Sequence, residues 1–330
     1  MKKSVLICVI YLLLLPIGSK GQVFVRGHIH NLKYDSIIFM YEENYIALEK
    51  RQQKVPIIKN SYSTTLPIYL VGKASLIYVG SDKNENVITF FAQPKDSVLL
   101  SFDAKTPTNS ISFGGTNALY NNNFYANEQR KKQTAMIEIK QRNPEKYLKY
   151  IDSLSSKEVK FFETLVENTV KKNKKLQPNV ATMSQFYCWK TYSKSIAKMK
   201  YPEQKVLLQT IELPPLYYAF LKEHGCQHNV CISNEDYRNF LEIYLLFLYQ
   251  QKYGTSTVAT IKDYQQLYEM IPTAFKGSLT RNFLQARVVA KIARDFPAQV
   301  QEFYTKYLQQ NPTSIFNKDL ASIVQPNLSK

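Results

Sequence analysis

The sequence predicts an α+β protein, with an N-terminal antiparallel β-sandwich-like domain over residues 22–115 followed by an all-α helical domain over residues 116–330. Three observations carry that expectation. Apolar residues recur with period two in several stretches between residues 23 and 113, the spacing of half-buried strands. After Gly114-Gly115 the spacing becomes that of amphipathic helices. A hydrophobic content of 45% and an aromatic content of 13% supply enough apolar surface for packed cores and argue against disorder.

Residues 1–21 read as a secretory signal peptide. Lys2 and Lys3 form a basic start, residues 5–15 are an almost unbroken apolar run, and Ser19 and Gly21 supply small residues for cleavage before Gln22. The apolar run falls short of the roughly 20 residues a membrane span needs. Residues 240–249 are also too short and contain Glu242, so no stable membrane span is expected. Removing 21 residues from 330 leaves a mature chain of 309. It also removes three lysines and no acid, so the net charge of +17 becomes +14. Such a balance suits anionic partners in general. The lysines are nevertheless spread along the chain, and the densest group (Lys171, Lys172, Lys174 and Lys175) reads as a solvated helix end rather than a nucleic-acid patch.

The strands come first. Val23, Val25, Gly27 and Ile29 share one face, and Phe24, Arg26, His28 and His30 the other. Val98, Leu100 and Phe102 repeat the alternation, and residues 37–41, 66–71, 76–79 and 87–91 are further strand-like runs. Thr116 can cap a first helix that proceeds through Tyr120 and Phe124 towards Ile137. Pro144 suits the first turn of a second helix, and Pro202 and Pro214-Pro215 open or break later ones. The clearest helix covers residues 236–251, where Tyr237, Phe240, Leu241, Tyr244, Leu245 and Leu248 keep helical spacing and Ser233 with Asp236 approximates a capping box. Further helices are expected over 258–270, 279–295, 297–309 and 315–324.

Val23-Phe24-Val25-Arg26-Gly27-His28-Ile29-His30, the corner Phe113-Gly114-Gly115-Thr116-Asn117-Ala118-Leu119-Tyr120, and Ser233-Asn234-Glu235-Asp236-Tyr237-Arg238 together resemble bacterial thiol:disulfide oxidoreductases of the TlpA type that carry a long N-terminal extension. The resemblance covers the small β domain and the helical region of that family, not its thioredoxin fold. It implies an accessory, non-catalytic half whose partner is another envelope protein, a separately encoded thioredoxin-like protein being one candidate. The Cys-x-x-Cys that thioredoxin chemistry requires is absent from the sequence, so no redox residue carries over.

The remaining chemistry rests on few residues. Cys226 and Cys231 can close a short disulfide loop in an oxidising compartment, and Cys188, beside Trp189, reads as a buried free thiol. His224, Cys226, His228 and Cys231 make a candidate zinc ligand set, but four ligands within eight residues are more crowded than in usual structural fingers, whose ligand pairs lie far apart. His28 and His30 share a strand face and read as outward polar positions rather than a chelate. Glu42-Glu43 reads as a solvated turn, and Tyr217-Tyr218 and the tyrosines of 244–249 read as core rather than a sugar platform. The sequence has no nucleophile elbow, Walker loop or His-Glu-x-x-His. The expectation is therefore an exported, periplasmic protein that binds a partner or substrate polypeptide, without a cofactor and leaning away from catalysis. The alternative is a thiol-disulfide or metal-dependent protein using the Cys226/Cys231 segment.

Overall fold

The structure, a computed structural model, describes residues 21–47, 49–80, 83–134, 143–172, 180–200, 221, 229–255 and 257–328. The expected leader lies outside these residues apart from Gly21, as do the segments opened by Pro202 and by Pro214-Pro215. The chain divides into two compact units, residues 1–43 with 50–191 and residues 44–49 with 192–330.

The first unit contains eight strands among its described residues: β1 (Val23–His30), β2 (Ser36–Asn44), β3 (Glu49–Pro56), β4 (Ser61–Leu66), β5 (Gly72–Val79), β6 (Glu85–Ala92), β7 (Ser97–Asp103) and β8 (Ser112–Gly115), the extreme ends of β2 and β3 belonging to the other unit. They form two sheets, ordered β4-β1-β7-β8 and β3-β2-β5-β6. Val23, Val25 and Ile29 of β1, Phe39 of β2, Leu76 of β5, Phe90 of β6, and Val98 and Leu100 of β7 belong to one buried cluster, so the two sheets enclose a common core. The predicted α+β class is what the structure shows, a sandwich followed by helices. One pair departs from the antiparallel expectation, because β1 runs parallel to β7, with Val25 opposite Val98.

Two glycines are required by close approach. A Cβ on Gly27 would lie 1.7 Å from the Leu100 carbonyl oxygen, which accepts a 2.7 Å hydrogen bond from the Tyr62 hydroxyl. Gly115 sits at φ +88°, and a Cβ there would lie 1.9 Å from the Ser97 carbonyl.

Several strands depart from the sequence expectation. β3 is a polar strand (EKRQQKVP) at the end of its sheet, and β4 begins at Ser61, five residues before the run expected at 66–71. Lys59 and Asn60 connect them with φ of 50° and 64°, both left-handed as a two-residue hairpin turn demands, and Ile58 and Ser61 exchange backbone hydrogen bonds. Glu42 and Glu43 continue β2 rather than forming a turn, because the strand runs on to Asn44. Phe113 and the two glycines after it form β8, paired with β7, instead of a loop corner.

A short helix, α1 (Pro107–Ser110), precedes β8, and α2 (Ala118–Thr134) follows it. Three asparagines at the head of α2 act on strands. The Asn121 side chain accepts from the Phe91 N–H at 2.7 Å and donates to the Phe91 carbonyl at 3.0 Å, taking the place of a neighbouring strand beside β6. Asn122 does the same for Phe113 of β8, at 3.0 and 2.9 Å. Asn117 donates to the buried Asp96 carboxyl, which also accepts from the Gln93 N–H at 2.9 Å. Helices α3 (Pro144–Lys172) and α4 (Val180–Lys200) add a second cluster, in which Phe162 and Phe186 stack at 3.7 Å beside Leu119, Tyr120 and Val166. Trp189, the single tryptophan, packs edge-on against Phe124 at 5.3 Å.

The second unit is helical, with α5 (Glu235–Tyr253), α6 (Ile261–Ala274), α7 (Ser278–Asp295), α8 (Val300–Gln310) and α9 (Asn317–Leu328) among its described residues. Asn234, not Ser233, caps α5: its side chain accepts from the Tyr237 N–H. Thr260 and Asp263 form a full capping box, so α6 starts at Ile261 rather than at 258. The unit also takes in residues 44–49. Asn44 accepts from the N–H groups of Ile46 and Ala47, the Tyr45 N–H donates to Asp319 at 2.9 Å, and the Arg238 guanidinium lies 4.9 Å from the centre of the Tyr45 ring. Among the described residues no helix is long and apolar enough to cross a membrane.

Candidate functional site

Helix α7 is the centre of the second unit. Phe283, Leu284, Ala286, Val288, Val289, Ile292 and Ala293 are all buried, so apolar residues occupy most of its circumference. In this setting Arg287, Lys291 and Arg294 stand out, because spacings of four and three residues place them along one side of the helix. Glu242 lies on α5, whose register is set by its buried residues Tyr237, Phe240, Leu241, Leu245 and Tyr249.

These side chains meet at a cavity of about 250 Å³ lined by Leu245, Leu246, Val258, Tyr264, Leu267, Leu284 and Val288 together with Glu242, Arg287, Lys291 and Arg294. Arg287 grips Glu242 with two nitrogens, Nε to Oε1 at 2.8 Å and Nη2 to Oε2 at 3.1 Å, while its Nη1 donates to the Ile46 carbonyl. Lys291 reaches the same carboxylate at 2.9 Å. At the other end, Arg294 holds Asp295 through Nε at 2.7 Å and Nη2 at 3.0 Å, and the Tyr264 hydroxyl donates to Asp295 at 2.6 Å.

The electrostatics follow from these contacts. Burial alone would raise the Glu242 carboxyl, but the attraction and hydrogen bonds of Lys291 and Arg287 outweigh it and hold the group below its ordinary value. The hydrogen bonds of Arg294 and Tyr264 lower Asp295 to about 2. Burial and the bond to Asp295 push the Tyr264 hydroxyl up to about 12. Both carboxylates therefore stay ionised near neutral pH and the phenol stays protonated, which makes all three poor proton-transfer groups there. The arrangement is suited to holding charge against an apolar wall.

The residues singled out by sequence fall elsewhere. Cys226, His224 and His228 lie outside the described residues, so the Cys226–Cys231 bond and the zinc set lie there too. Cys231 is buried and disulfide-bonded. Cys188 is also disulfide-bonded, which overturns the expectation of a free thiol. The physical reason is that bond formation depends on Cα separation in the fold, about 4.4–6.8 Å, and not on nearness in sequence. His28 and His30 lie on the exposed face of β1, with His28 Nδ1 3.0 Å from the Ser61 hydroxyl. Among the described residues no three His, Cys, Asp or Glu side chains converge to hold a metal ion.

The cationic row on α7 has a signal in the sequence, since Arg287, Lys291 and Arg294 recur at helical spacing among Val288, Val289, Ile292 and Ala293. Glu242 registered only as a break in an apolar run. No protein-family model, no curated protein and no solved structure matches the chain.

Proposed function

We propose that this is an exported, non-catalytic envelope protein that binds a partner or substrate polypeptide, the role implied by its resemblance to the N-terminal part of TlpA-type proteins. The observation that carries this reading is the α5–α7 cavity, where an apolar wall meets clamped side chains that stay ionised near neutral pH. Concave apolar surface with a few fixed polar groups is the usual form of a binding site. The basic start and apolar run of residues 2–15 support export, and disulfides at Cys188 and Cys231 suit an oxidising compartment such as the periplasm. The buried, disulfide-bonded sulfur of Cys231 offers no free thiolate to a metal ion, which weighs against a metal role for that residue.

The test is cross-linking of the full chain in the envelope of the producing cell, followed by capture and identification. A reproducible, saturable partner is expected, a thioredoxin-like protein being the first candidate. Capture no better than that of an unrelated exported protein overturns the reading.

A further inference from the structure

The cavity's charges do not cancel. Arg287, Lys291 and Arg294 line it with Glu242, while Asp295, outside the lining, pairs with Arg294, whose side chain is 71% exposed; three cations against two carboxylates leave one positive charge. Arg287 is committed, since all three of its nitrogens donate to Glu242 or to the Ile46 carbonyl. Arg294 spends Nε and Nη2 on Asp295 and keeps Nη1. Lys291 shares a carboxylate that Arg287 already holds at both oxygens. Its side chain is 30% exposed, against 15% for Arg287, so its remaining N–H groups stand nearer the mouth.

The wall opposite the charges is apolar. Leu245, Leu267, Leu284 and Val288 are buried, while Leu246 and Val258 are half-buried. At about 250 Å³ the space exceeds the roughly 150 Å³ that accommodates benzene in an apolar cavity. An occupant that cancels the residual charge carries one negative charge. A dianion such as a phosphate monoester would leave the site negative, and a neutral ligand would leave the one excess positive charge uncompensated.

We propose that this cavity binds a small organic monocarboxylate, its apolar body against the leucines of α5, α6 and α7 and its carboxylate met by Lys291 and Arg294. The proposal rests on the binding-module reading above and names the chemistry recognised. That chemistry has two sources, a free aryl or aliphatic acid, or the C-terminal carboxylate of a polypeptide ending in a bulky apolar residue.

Calorimetric titration of the full mature chain separates these. The probes are 3-phenylpropanoate, 3-phenylpropanol, 3-phenylpropylammonium, and N-acetyl-Leu-Phe as free acid and as amide. The free acids are expected to bind with dissociation constants on the order of 1 mM or tighter. The alcohol, the ammonium and the amide are expected to bind at least about tenfold more weakly, the order of one charge-assisted hydrogen bond. Whichever acid binds tighter identifies the source. Lys291→Met, which keeps the aliphatic stem, should weaken the acid about tenfold while leaving the alcohol unchanged. Val258→Trp, on the connection between α5 and α6 and away from the charged clamp, should block both.

Equal binding of acid and alcohol, acid binding unaffected by Lys291→Met, or no acid binding up to about ten times the expected constant overturns the proposal. If envelope capture persists in that case, the binding-module reading survives without this pocket. If capture also fails, the reading itself falls.

Discussion

Replacing Asn121 by alanine removes both halves of the amide pair that closes β6 at Phe91. In the native unit the Phe91 N–H and carbonyl meet the Asn121 side chain at 2.7 and 3.0 Å, and the two residues are only 2% and 1% exposed. Water cannot readily replace the lost groups at that depth. An orphaned buried donor or acceptor costs about 1–3 kcal/mol, so two orphans should cost about 2–6 kcal/mol. That is a large share of the roughly 5–15 kcal/mol by which a folded domain is stable. Asn122 makes the same pair of bonds to Phe113 but is exposed, so water can substitute and Asn122→Ala should cost about 0.5–1.5 kcal/mol. Urea unfolding followed by the fluorescence of Trp189, which belongs to the same unit, measures both. Hydrogen exchange at the Phe91 amide should accelerate in Asn121→Ala and not in Asn122→Ala. A loss below about 1 kcal/mol for Asn121→Ala, or equal losses for the two variants, would refute the argument that buried backbone pairing, rather than helix propensity, explains these asparagines.

Other perturbations probe the remaining charged and bonded groups. Glu242→Gln leaves Arg287 and Lys291 without a carboxylate and should cost about 3–5 kcal/mol in the helical unit, read as a fall in the circular-dichroism melting temperature. The native Glu242 carboxyl sits below its ordinary 4.5, so its contribution is present above that pH and lost as pH falls, and the variant should lack this part of the acid limb. Asp96 shifts the other way: burial pushes it up to about 6 against the hydrogen bonds from Gln93 and Asn117. Its favourable contribution is complete below pH 3.8 and is lost as pH rises through about 6, so Asp96→Asn should flatten the change in urea midpoint between pH 4 and pH 7. Cys188 and Cys231 should resist alkylation until the chain is reduced, as peptide mass spectrometry would show, and Cys188→Ser should lower stability by about 2–5 kcal/mol. Labelling of either thiol in the folded, unreduced protein would contradict the bonded state.

Much of the fold was legible, for reasons visible in particular elements. β1 and β7 bury every second residue, and one-sided burial writes period two into a strand. β3 carried no such mark. It ends its sheet, where charged residues such as Lys50, Arg51 and Lys54 guard the open backbone, so its composition resembles a loop. β8 was hidden by Gly114 and Gly115, whose role is close backbone approach to β7. The start of α5 was misplaced by one residue because Ser233 and Asn234 are both good caps, and only the geometry chooses Asn234. The candidate site was less legible. Its cations lie within eight residues on α7, but Glu242 is 45 residues from Arg287 in sequence. Local patterns contain no information about which distant helix supplies the counter-charge.

The asparagine pair at the head of α2 also bears on where the chain can be cut. A fragment ending at Gly115 would keep β1 to β8 yet lose the side chains that occupy the Phe91 and Phe113 backbone groups. Those groups would then be free to recruit strands from other copies. Truncation at the visible switch from sheet to helix should therefore yield a polymerising product, whereas a longer piece that retains α2 should remain dispersed.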